Sequence, residues 1–350
     1  MTFTPRYTIT NAIAAALAKI ERARGFLDAA DLSQDWIGRR RERAILLEAH
    51  HSTHIEGTRL TLDQSERLLA GKEVSDARRE DARELLNYRE AFQFVAGHLS
   101  SREPIREETI FEIHRRLVRD VRGKSGRPGE YRIVQNYIAD LRTMKTVYVP
   151  PPPEDVPVMM KQLVEWLREE KATNPVLLAG IAQFQLVTIH PFLDGNGRTA
   201  RLLSMLCLYR AGYDFRRLFV LSEYYDRDRP AYYRALQETR DRGSDLTLWL
   251  EYFTAGLATQ LREVEDRAER AIGSETLLTK AHRVGLKDRP VQLLAYLLDR
   301  GKGTIGECEA ALLENRRSLQ RDLKSLVEMG FLREVATSPT DPTKYYVPVV

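Results

Sequence analysis

The sequence contains few cysteines and no long hydrophobic run. Its two cysteines, Cys207 and Cys308, lie far apart and match no zinc-ligand spacing, so they predict reduced core thiols rather than a disulfide framework or a zinc site. No run of eighteen apolar residues occurs, and we therefore expect no transmembrane helix. The segment from Met1 to Arg6 lacks the features of a secretory signal, which favours a cytoplasmic protein.

A large excess of charge of either sign is also absent. The 54 lysines and arginines nearly balance the 50 aspartates and glutamates, which leaves a formal net charge of +4. That charge alone does not predict nucleic-acid binding, although it leaves room for a local basic patch. Hydrophobic residues make up 43% of the 350 positions, which is enough for a packed core, and a chain of this length predicts two or three domains.

One stretch, His190 to Arg201, concentrates the residues that can carry chemistry. Its sequence is HPFLDGNGRTAR, and it lies between two apolar runs, Leu177 to Ile189 and Leu202 to Tyr209. Glycines let backbone N–H groups approach a ligand, and a helix that begins in such a turn attracts anions. Arginines three positions apart can face the same phosphates. With a carboxylate suited to Mg²⁺ and a histidine that can accept a proton, the stretch predicts a nucleotide-phosphate site.

The same stretch resembles the signature of the Fic family, H-x-F-x-D/E-G-N-G-R-x-x-R, without departures. The resemblance implies a mainly α-helical Fic core with a β-hairpin flap, and the transfer of AMP from ATP to a protein hydroxyl with Mg²⁺. It implies that His190 is the base, that Asp194 holds Mg²⁺ and that Phe192 anchors the loop. The remaining positions would bind the nucleotide phosphates together with Asp194: Gly195, Asn196, Gly197, Arg198 and Arg201. The alternative is a helix junction with a buried histidine and a solvated basic turn.

An upstream motif, Ser52-x-x-x-Glu56-Gly57, resembles the inhibitory motif S/T-x-x-x-E-G/N of Fic proteins. The resemblance implies that Glu56 pairs with Arg201 where the γ-phosphate of ATP would lie. A coupling on the order of 1–3 kcal/mol would keep the enzyme mostly silent. In some family members the same glutamate orients a water for the removal of AMP, so de-AMPylation stays open. The alternative is an exposed carboxylate at a helix end.

Two short strands, Tyr131 to Val134 and Val147 to Val149, are predicted around a polar turn from Ala139 to Lys145. In Fic proteins a β-hairpin flap at this place docks the modified segment of the target by backbone pairing. The stretch resembles that flap, so we expect residues from Asn136 to Val147 to contact a protein substrate. The alternative is an ordinary surface hairpin.

Three tyrosines follow the signature at Tyr225, Tyr232 and Tyr233. In the family this region lines the adenine pocket, and an aromatic ring can stack on a purine, so we assign the three tyrosines to nucleotide binding. The alternative is that they belong to the core or to an interface. Arg240 stands where some relatives carry an adenine-contacting asparagine, so UTP or another nucleotide stays open.

The residues after about Leu277 change in character. Three helices are predicted, Val291 to Leu298, Thr304 to Leu313 and Asn315 to Met329, and two strands follow them. This order resembles a winged helix-turn-helix. The third helix should turn leucines and a valine inward, at Leu319, Leu323, Leu326 and Val327. Its outward face, which could enter the major groove of DNA or dock a protein, carries Arg316, Arg317, Gln320, Arg321 and Lys324.

We therefore divide the chain into three predicted parts. Residues 1–100 form an N-terminal helical region with the inhibitory motif, residues 101–272 the Fic core, and residues 273–350 the winged helix-turn-helix domain. The core is predicted to end in a long helix from Asp245 to Arg270, whose charged second half should be a solvated linker.

Two function classes compete for this chain. The first is a regulated protein adenylyltransferase, inhibited by Glu56, that modifies a target protein or itself. The second is a DNA-binding transcriptional regulator whose Fic core senses nucleotide. The intact His190 favours the first class, because a sensor needs phosphate contacts but no base. Asp194 argues against a phosphotransferase, whose loops typically depart at that position. The target, the trigger that relieves inhibition and the formation of a homodimer stay open.

Overall fold

The computed structural model describes residues 3–98, 103–121, 127–139, 146–338, 341 and 343–349. Over these residues the chain is mainly helical, which confirms the fold class expected from the sequence. Within the same ranges, none of the helices combines the length and the apolarity needed to cross a bilayer.

The helices in the described residues before the flap are α1 (Asn11–Ala29), α2 (Gln34–Ile55), α3 (Leu62–Leu69), α4 (Arg79–Gly97) and α5 (Glu107–Val118). The flap strands are β1 (Ile138–Ala139) and β2 (Thr146–Tyr148). They are followed by α6 (Val156–Glu169), α7 (Pro175–Ile189), α8 (Asn196–Arg210), α9 (Leu221–Arg227), α10 (Arg229–Asp241) and α11 (Thr247–Arg283). The C-terminal elements are α12 (Asp288–Arg300), β3 (Gly303–Thr304), α13 (Ile305–Leu312), α14 (Arg316–Glu328), β4 (Leu332–Val335) and β5 (Tyr345–Pro348).

The chain forms two compact units. The first comprises Met1–Ala29 and Ser33–Val264, and the second comprises Ala30–Leu32 and Glu265–Val350. The N-terminal helices and the signature stretch therefore fall within the same unit. The division at residues 100 and 101 stays a prediction from the sequence.

The centre of the first unit is the pair α7 and α8. The sequence of α7 contains no charged residue, and the helix is buried on nearly all sides, as expected for an apolar helix without a polar face. α8 packs against α7, and α2, α4 and α5 pack around α8. The turn that joins α7 to α8 carries the signature stretch, so its residues are held between two well-packed helices.

The flap differs from the expectation in its first strand. Tyr131 to Val134 is not a strand, and the pairing residues are Ile138–Ala139, which oppose Thr146–Tyr148 in an antiparallel pair. The reason is that Arg132 bonds to the signature turn instead of to a neighbouring strand. The second strand agrees with its predicted position to within one residue. Of the predicted polar turn, residues 140–145 lie outside the described residues.

The long helix α11 also differs from the expectation. It begins at Thr247, runs to Arg283 and does not end near Arg270. Its charged second half is not a solvated linker, because Val264, Glu265 and Ala268 are buried. These residues recur at helical spacing and form a narrow buried face. Charged residues surround them in the sequence, so the apolar periodicity is weak there.

The second unit contains α12, α13 and α14 with a three-stranded antiparallel sheet in the order β3-β5-β4. Its first strand, Gly303–Thr304, was not predicted, because two residues between helices carry no alternating pattern. Leu319, Leu323 and Leu326 are buried, as expected for the inner face of α14, and Cys308 joins the same core. The assignment of this unit as a winged helix-turn-helix stays a prediction.

Candidate functional site

His190 lies directly after α7 and adopts the left-handed conformation, with φ 52° and ψ 57°. Its backbone N–H donates to the Leu186 carbonyl, and its ring Nδ1 lies 3.3 Å from the Val187 carbonyl. A carbonyl only accepts, so Nδ1 carries the hydrogen, and the lone pair is on Nε2. Burial lowers the pKa of His190 to about 4, an effect that the Val187 carbonyl opposes and the Arg240 charge reinforces. The imidazole is therefore neutral near pH 7 and able to accept a proton.

The turn after His190 is held by Asn196 and Phe192. The Asn196 side chain accepts from the Phe192 N–H at 2.8 Å and donates to the Phe192 carbonyl at 2.8 Å. Asn196 is 2% exposed and Phe192 is fully buried. The amide oxygen and one N–H of Asn196 are thus used within the turn, and its assignment to phosphate binding stays a prediction. Its role in this structure is to close the loop.

The two signature glycines lie at the N-terminus of α8. Gly195 has φ 77°, and a Cβ there would meet Val118 at 2.9 Å, so a larger residue fits neither the conformation nor the space. A Cβ on Gly197 would collide with Oε1 of Glu56. The absence of a side chain at Gly197 thus lets a carboxylate rest on the first turn of α8, where N–H groups and the helix dipole favour an anion.

Arg198 is not exposed at the mouth of the site. It is 2% exposed, and its Nη1 donates to Oε2 of Glu84 at 2.7 Å, while Nη2 lies 3.4 Å from Oδ1 of Asp194. The Glu84 side chain is fully buried. Arg198 therefore joins α4 to the signature turn, and a direct phosphate clamp by Arg198 would require it to leave a buried ion pair.

Arg201 binds the upstream motif Ser52-x-x-x-Glu56-Gly57. Its Nε donates to the Ser52 hydroxyl at 2.8 Å, and Nη2 donates to the Ser52 carbonyl at 2.9 Å and to Oε1 of Glu56 at 2.8 Å. Burial would lower the pKa of Arg201, but the neighbouring Glu56 carboxylate raises it above its ordinary value. Glu56 caps α2, is 27% exposed at its side chain and is followed by Gly57 with φ 103°. The Glu56 carboxylate therefore binds Arg201 and at the same time lies against Gly197 at the N-terminus of α8.

The three assigned tyrosines have different environments. Tyr225 and Tyr232 are 0% and 2% exposed, their rings stack 4.6 Å apart, and aromatic side chains of α11 cover them. This burial is inconsistent with stacking of either ring on a base in this conformation. Tyr233 is 49% exposed. Arg240 lies 4.0 Å above the ring of Tyr148 on the flap.

Two buried residues outside the predicted site also hold the signature turn. His114 stacks on Phe192 at 3.7 Å, and its Nε2 lies 3.0 Å from the Asp194 carbonyl, while its Nδ1 accepts from Gly129 N–H at 3.0 Å. Arg132 donates to the His190 carbonyl at 2.8 Å. Both residues are separated from the turn by many positions, so no local spacing identifies them.

Glu84 was missed as well, although the sequence contains a signal for it. Glu84 falls on the same face of α4 as Tyr88 and Ala91, which are buried. A carboxylate on an otherwise apolar helix face predicts a buried positive partner, because an unpaired charge there is costly. The identity of that partner, Arg198, depends on how α4 packs on α8.

Asp194 is the candidate metal ligand. Its side chain is half exposed, and Oδ1 accepts from Gly195 N–H at 2.6 Å. In the described part of the chain, no group of three or more histidine, cysteine, aspartate or glutamate side chains could hold a metal ion by itself. A single exposed carboxylate still fits Mg²⁺, which is commonly bound by one or two carboxylates together with substrate phosphates.

Comparisons with known proteins match two regions of the chain to family models. The model of the Fic/DOC family matches residues 104–208, and the model of the Fic/DOC family N-terminal region matches residues 14–96. The chain is 34% identical over 200 residues to protein adenylyltransferase Fic of Drosophila willistoni. The aligned region covers 56% of this chain and 38% of that protein. The chain thus spans about two fifths of the length of the curated relatives it matches.

Two solved structures have a similar fold. A Fic family protein from Desulfovibrio desulfuricans G20 aligns with a TM-score of 0.66 and 24% identity over 99% of this chain and 98% of that chain. A Fic domain containing signaling protein from Bacteroides thetaiotaomicron VPI-5482 aligns with a TM-score of 0.62 and 25% identity over 75% of this chain and 97% of that chain.

Proposed function

Because the chain belongs to the Fic/DOC family, we propose that it is a protein adenylyltransferase. It transfers AMP from ATP to a Ser, Thr or Tyr hydroxyl of a target protein or of itself. The observation that carries the proposal is the anion-binding end of α8. Arg201, Gly197 and the first turn of the helix converge on one carboxylate, that of Glu56. An anion site of this kind suits the phosphates of a nucleotide.

The reaction follows from the position of His190 beside this anion site. The oxygen of the target hydroxyl attacks the α-phosphorus of ATP, and the bond from that phosphorus to the oxygen of the β-phosphate breaks. Pyrophosphate leaves, and the hydroxyl proton passes to Nε2 of His190, which is neutral before the reaction. The backbone N–H of Gly197 in the first turn of α8 would bind the phosphates, and that of Gly195 would join it on release from Oδ1 of Asp194.

Asp194 is the residue that would hold Mg²⁺ in this site. Bound there, the ion would neutralise part of the phosphate charge. Asp194 is itself positioned by its neighbours, because its carbonyl accepts from His114 and its Oδ1 accepts from Gly195 N–H. These two bonds therefore fix the backbone at Asp194 and the direction of its carboxylate.

Glu56 makes the resting enzyme inactive in this proposal. Its carboxylate is paired with Arg201 and lies on Gly197, so it competes with the terminal phosphate of ATP for the same donors. Because Ser52 binds the same guanidinium and is fully buried, the end of α2 is held in place as a unit. Relief of inhibition requires only that the Glu56 side chain leave.

The test is AMP transfer from labelled ATP with Mg²⁺ by the Glu56→Gly chain. We expect incorporation of label into the chain itself to rise roughly 5- to 150-fold over the unmodified chain, which corresponds to a typical coupling energy. The double variant with His190→Ala should lose the incorporation while it still binds ATP. Equal, low incorporation in both the Glu56→Gly and the unmodified chain would sink the proposal.

We assign the docking of the protein substrate to the flap and the contact with the nucleotide base to Tyr233. The segment from Asn136 to Val147 includes β1 and the first two residues of β2, and an extended target segment can pair with the edge of such a hairpin. Tyr233 is the exposed tyrosine of the three and is the one we propose for contact with the base. Tyr225 and Tyr232 support it from the core.

A second candidate function is DNA binding by the C-terminal unit. The observation in its favour is the outer face of α14, whose polar residues are all exposed: Arg316, Arg317, Gln320, Arg321 and Lys324. Replacement of Arg317 and Arg321 by alanine should weaken binding to duplex DNA and lower its salt dependence by about one counterion per lost phosphate contact. If the unmodified chain binds no duplex DNA at low salt, this candidate is excluded, and a protein partner takes its place.

A further inference from the structure

Arg132 is a buried arginine that lies outside the signature stretch and takes no part in the transfer as described above. It is 1% exposed. Among the described residues, its guanidinium is bonded to backbone carbonyls. Nε donates to His190 at 2.8 Å, Nη1 to Val134 at 3.1 Å, and Nη2 to Pro151 and, at 3.5 Å, to Ile189. A charged donor with carbonyl acceptors on several sides fixes all of them at once.

These carbonyls belong to two parts of the molecule that must cooperate. Val134 comes before β1 and Pro151 comes after β2. The same guanidinium therefore donates to the chain on both sides of the flap hairpin. Ile189 and His190 form the C-terminus of α7, where the helix dipole is negative and favours a cation. Arg132 therefore joins the two ends of the flap to the backbone of His190, the residue proposed to accept the proton.

The main chain of Arg132 reinforces this joint. Its backbone N–H donates to the Pro191 carbonyl at 2.9 Å. Arg132 thus holds two successive backbone carbonyls, those of His190 and Pro191. A second link from the flap to the turn is made by Asn136, whose Nδ2 donates to the Phe192 carbonyl at 2.9 Å.

The bond to the His190 carbonyl matters because His190 is in the left-handed conformation. For a residue with a side chain this conformation costs about 1–2 kcal/mol, so it needs contacts that hold it. Arg132 supplies one of them from outside the turn. Loss of that bond would allow the His190 peptide to rotate, and the imidazole would move relative to the phosphates and to the flap.

We infer that Arg132 is a positioning residue for AMP transfer, which orients His190 and the flap relative to each other. The inference rests on the proposed function. Lysine cannot replace arginine here, because its donors radiate from one nitrogen and cannot reach carbonyls on opposite sides of a planar group. The role is distinct from nucleotide binding, since Arg201 and the start of α8 are not among the contacts of Arg132.

The test compares Arg132→Lys and Arg132→Gln with Arg168→Gln, all in the Glu56→Gly chain. Arg168 is an exposed arginine of α6 that pairs with Glu169, so it serves as the matched control. The rate of labelled AMP incorporation is measured against ATP concentration, and ATP affinity is measured separately by calorimetry. We expect the maximum rate to fall roughly 10- to 100-fold in both Arg132 variants, because small misplacements of reacting groups are costly. ATP affinity should stay within about threefold, since an interaction made only in the transition state changes kcat and not ground-state binding.

Two further readouts separate positioning from general destabilisation. The ring resonances of His190 should shift in Arg132→Lys and stay unchanged in Arg168→Gln. Added guanidinium should restore part of the rate to an Arg132→Gly chain, as it would refill the same contacts. A full rate in Arg132→Lys, or a loss of ATP affinity in parallel with the rate, overturns the inference.

Failure of the proposed function is seen separately. If the Glu56→Gly parent itself transfers no AMP, the adenylyltransferase proposal fails, and the resonances of His190 then decide the inference about Arg132. An unchanged His190 spectrum in Arg132→Lys counts against it. If Arg132→Gln does not fold, the charge-conserving Arg132→Lys decides.

Discussion

At the scale of single residues, the site is built from buried charges that satisfy each other. Arg198 and Glu84 form an ion pair in which both side chains are almost fully buried. Arg201 pairs with Glu56 and with the Ser52 hydroxyl and carbonyl. One of these arginines thus secures the loop to the fold, whereas the other is held by a carboxylate that can leave. This division of roles between two neighbouring arginines supports the proposal that the site is regulated by Glu56.

Removal of the carboxylate from the buried pair should be costly. Glu84→Gln removes the buried carboxylate that lies 2.7 Å from the Arg198 guanidinium, so we expect the free energy of unfolding to fall by about 3 kcal/mol. The matched control is Glu66→Gln, which breaks an exposed pair with Arg43 and should cost less than about 1 kcal/mol. Urea unfolding of both variants measures the difference, and equal losses would contradict the structural role assigned to Glu84.

The pKa of His190 leads to a second prediction at this scale. Because burial lowers the pKa to about 4, the folded enzyme keeps a neutral imidazole well below the ordinary value for histidine. The kcat/KM of the Glu56→Gly chain should therefore stay nearly constant from about pH 7.5 to 5.5, where an unperturbed histidine would cause a loss of about tenfold. Circular dichroism at each pH confirms that the chain stays folded. A midpoint near the ordinary histidine value would argue against the buried, uncharged base.

At the scale of elements, α2, which ends at Glu56, is joined to α9 near its C-terminus by the carboxylate of Asp226. Asp226 accepts from Nδ1 of His51 at 2.8 Å, from Nδ1 of His54 at 2.8 Å and from Nε of Arg229 at 2.6 Å. Burial opposes ionisation of Asp226, but the bonds from the two histidines and Arg229 hold its pKa below the usual value. The attachment lies within the same helical turns as Ser52 and just before Glu56, so it supports the inhibitory contact.

Weakening this attachment should activate the enzyme while Glu56 is present. We expect Asp226→Asn to raise self-modification by severalfold, up to the level of Glu56→Gly, because α2 then holds Glu56 on Arg201 less firmly. The same substitution in the Glu56→Gly chain should add nothing, which a double-mutant cycle measures. Asp63→Asn on α3 removes an exposed, weakly paired carboxylate and is the control. Equal gains in both backgrounds would mean that Asp226 acts on something other than inhibition.

At the scale of the whole molecule, three histidines with a lowered pKa contribute to the response to acid: His50 and His114, which are buried, and His190, which is partly buried. Burial lowers the pKa of His50, His114 and His190 to about 4 in each case. Between about pH 6.5 and pH 4 the unfolded chain binds protons at these positions and the folded chain does not. Protons therefore favour the unfolded state in this window, and stability falls as the pH is lowered through it.

We expect the urea midpoint to decrease steadily from about pH 6.5 towards pH 4, with little change from about pH 8 to 7. A His50→Asn variant should be less stable near neutral pH but should lose less on acidification, since one of the three histidines is gone. His98→Asn is the control, as this residue lies at the end of α4 and its ring Nδ1 bonds to the Phe94 carbonyl one turn earlier. A midpoint that is independent of pH in this window would contradict the effect of the buried histidines.

The sequence could predict the existence and the chemistry of the site because both are local properties. The signature occupies twelve consecutive positions, and the apolar runs on either side predict the helices α7 and α8. The flap was placed only approximately. The segment from Tyr131 to Val134 has the composition of a strand, yet the contacts of Arg132 with the signature turn draw it away from strand pairing.

By itself the sequence therefore determined where an anion and a base could meet, since a turn between two helices brings neighbouring residues together whatever surrounds them. The place of Glu56, far upstream, followed only from the resemblance of its motif to that of the Fic family. Only the tertiary structure decided what each residue does there. Arg198 is buried against Glu84, the amide of Asn196 closes its own loop, Tyr225 lies inside an aromatic core, and Arg132 joins the flap to His190. The physical reason is that such pairings depend on which helix faces pack together, and side chains separated by many positions share no local pattern that records it.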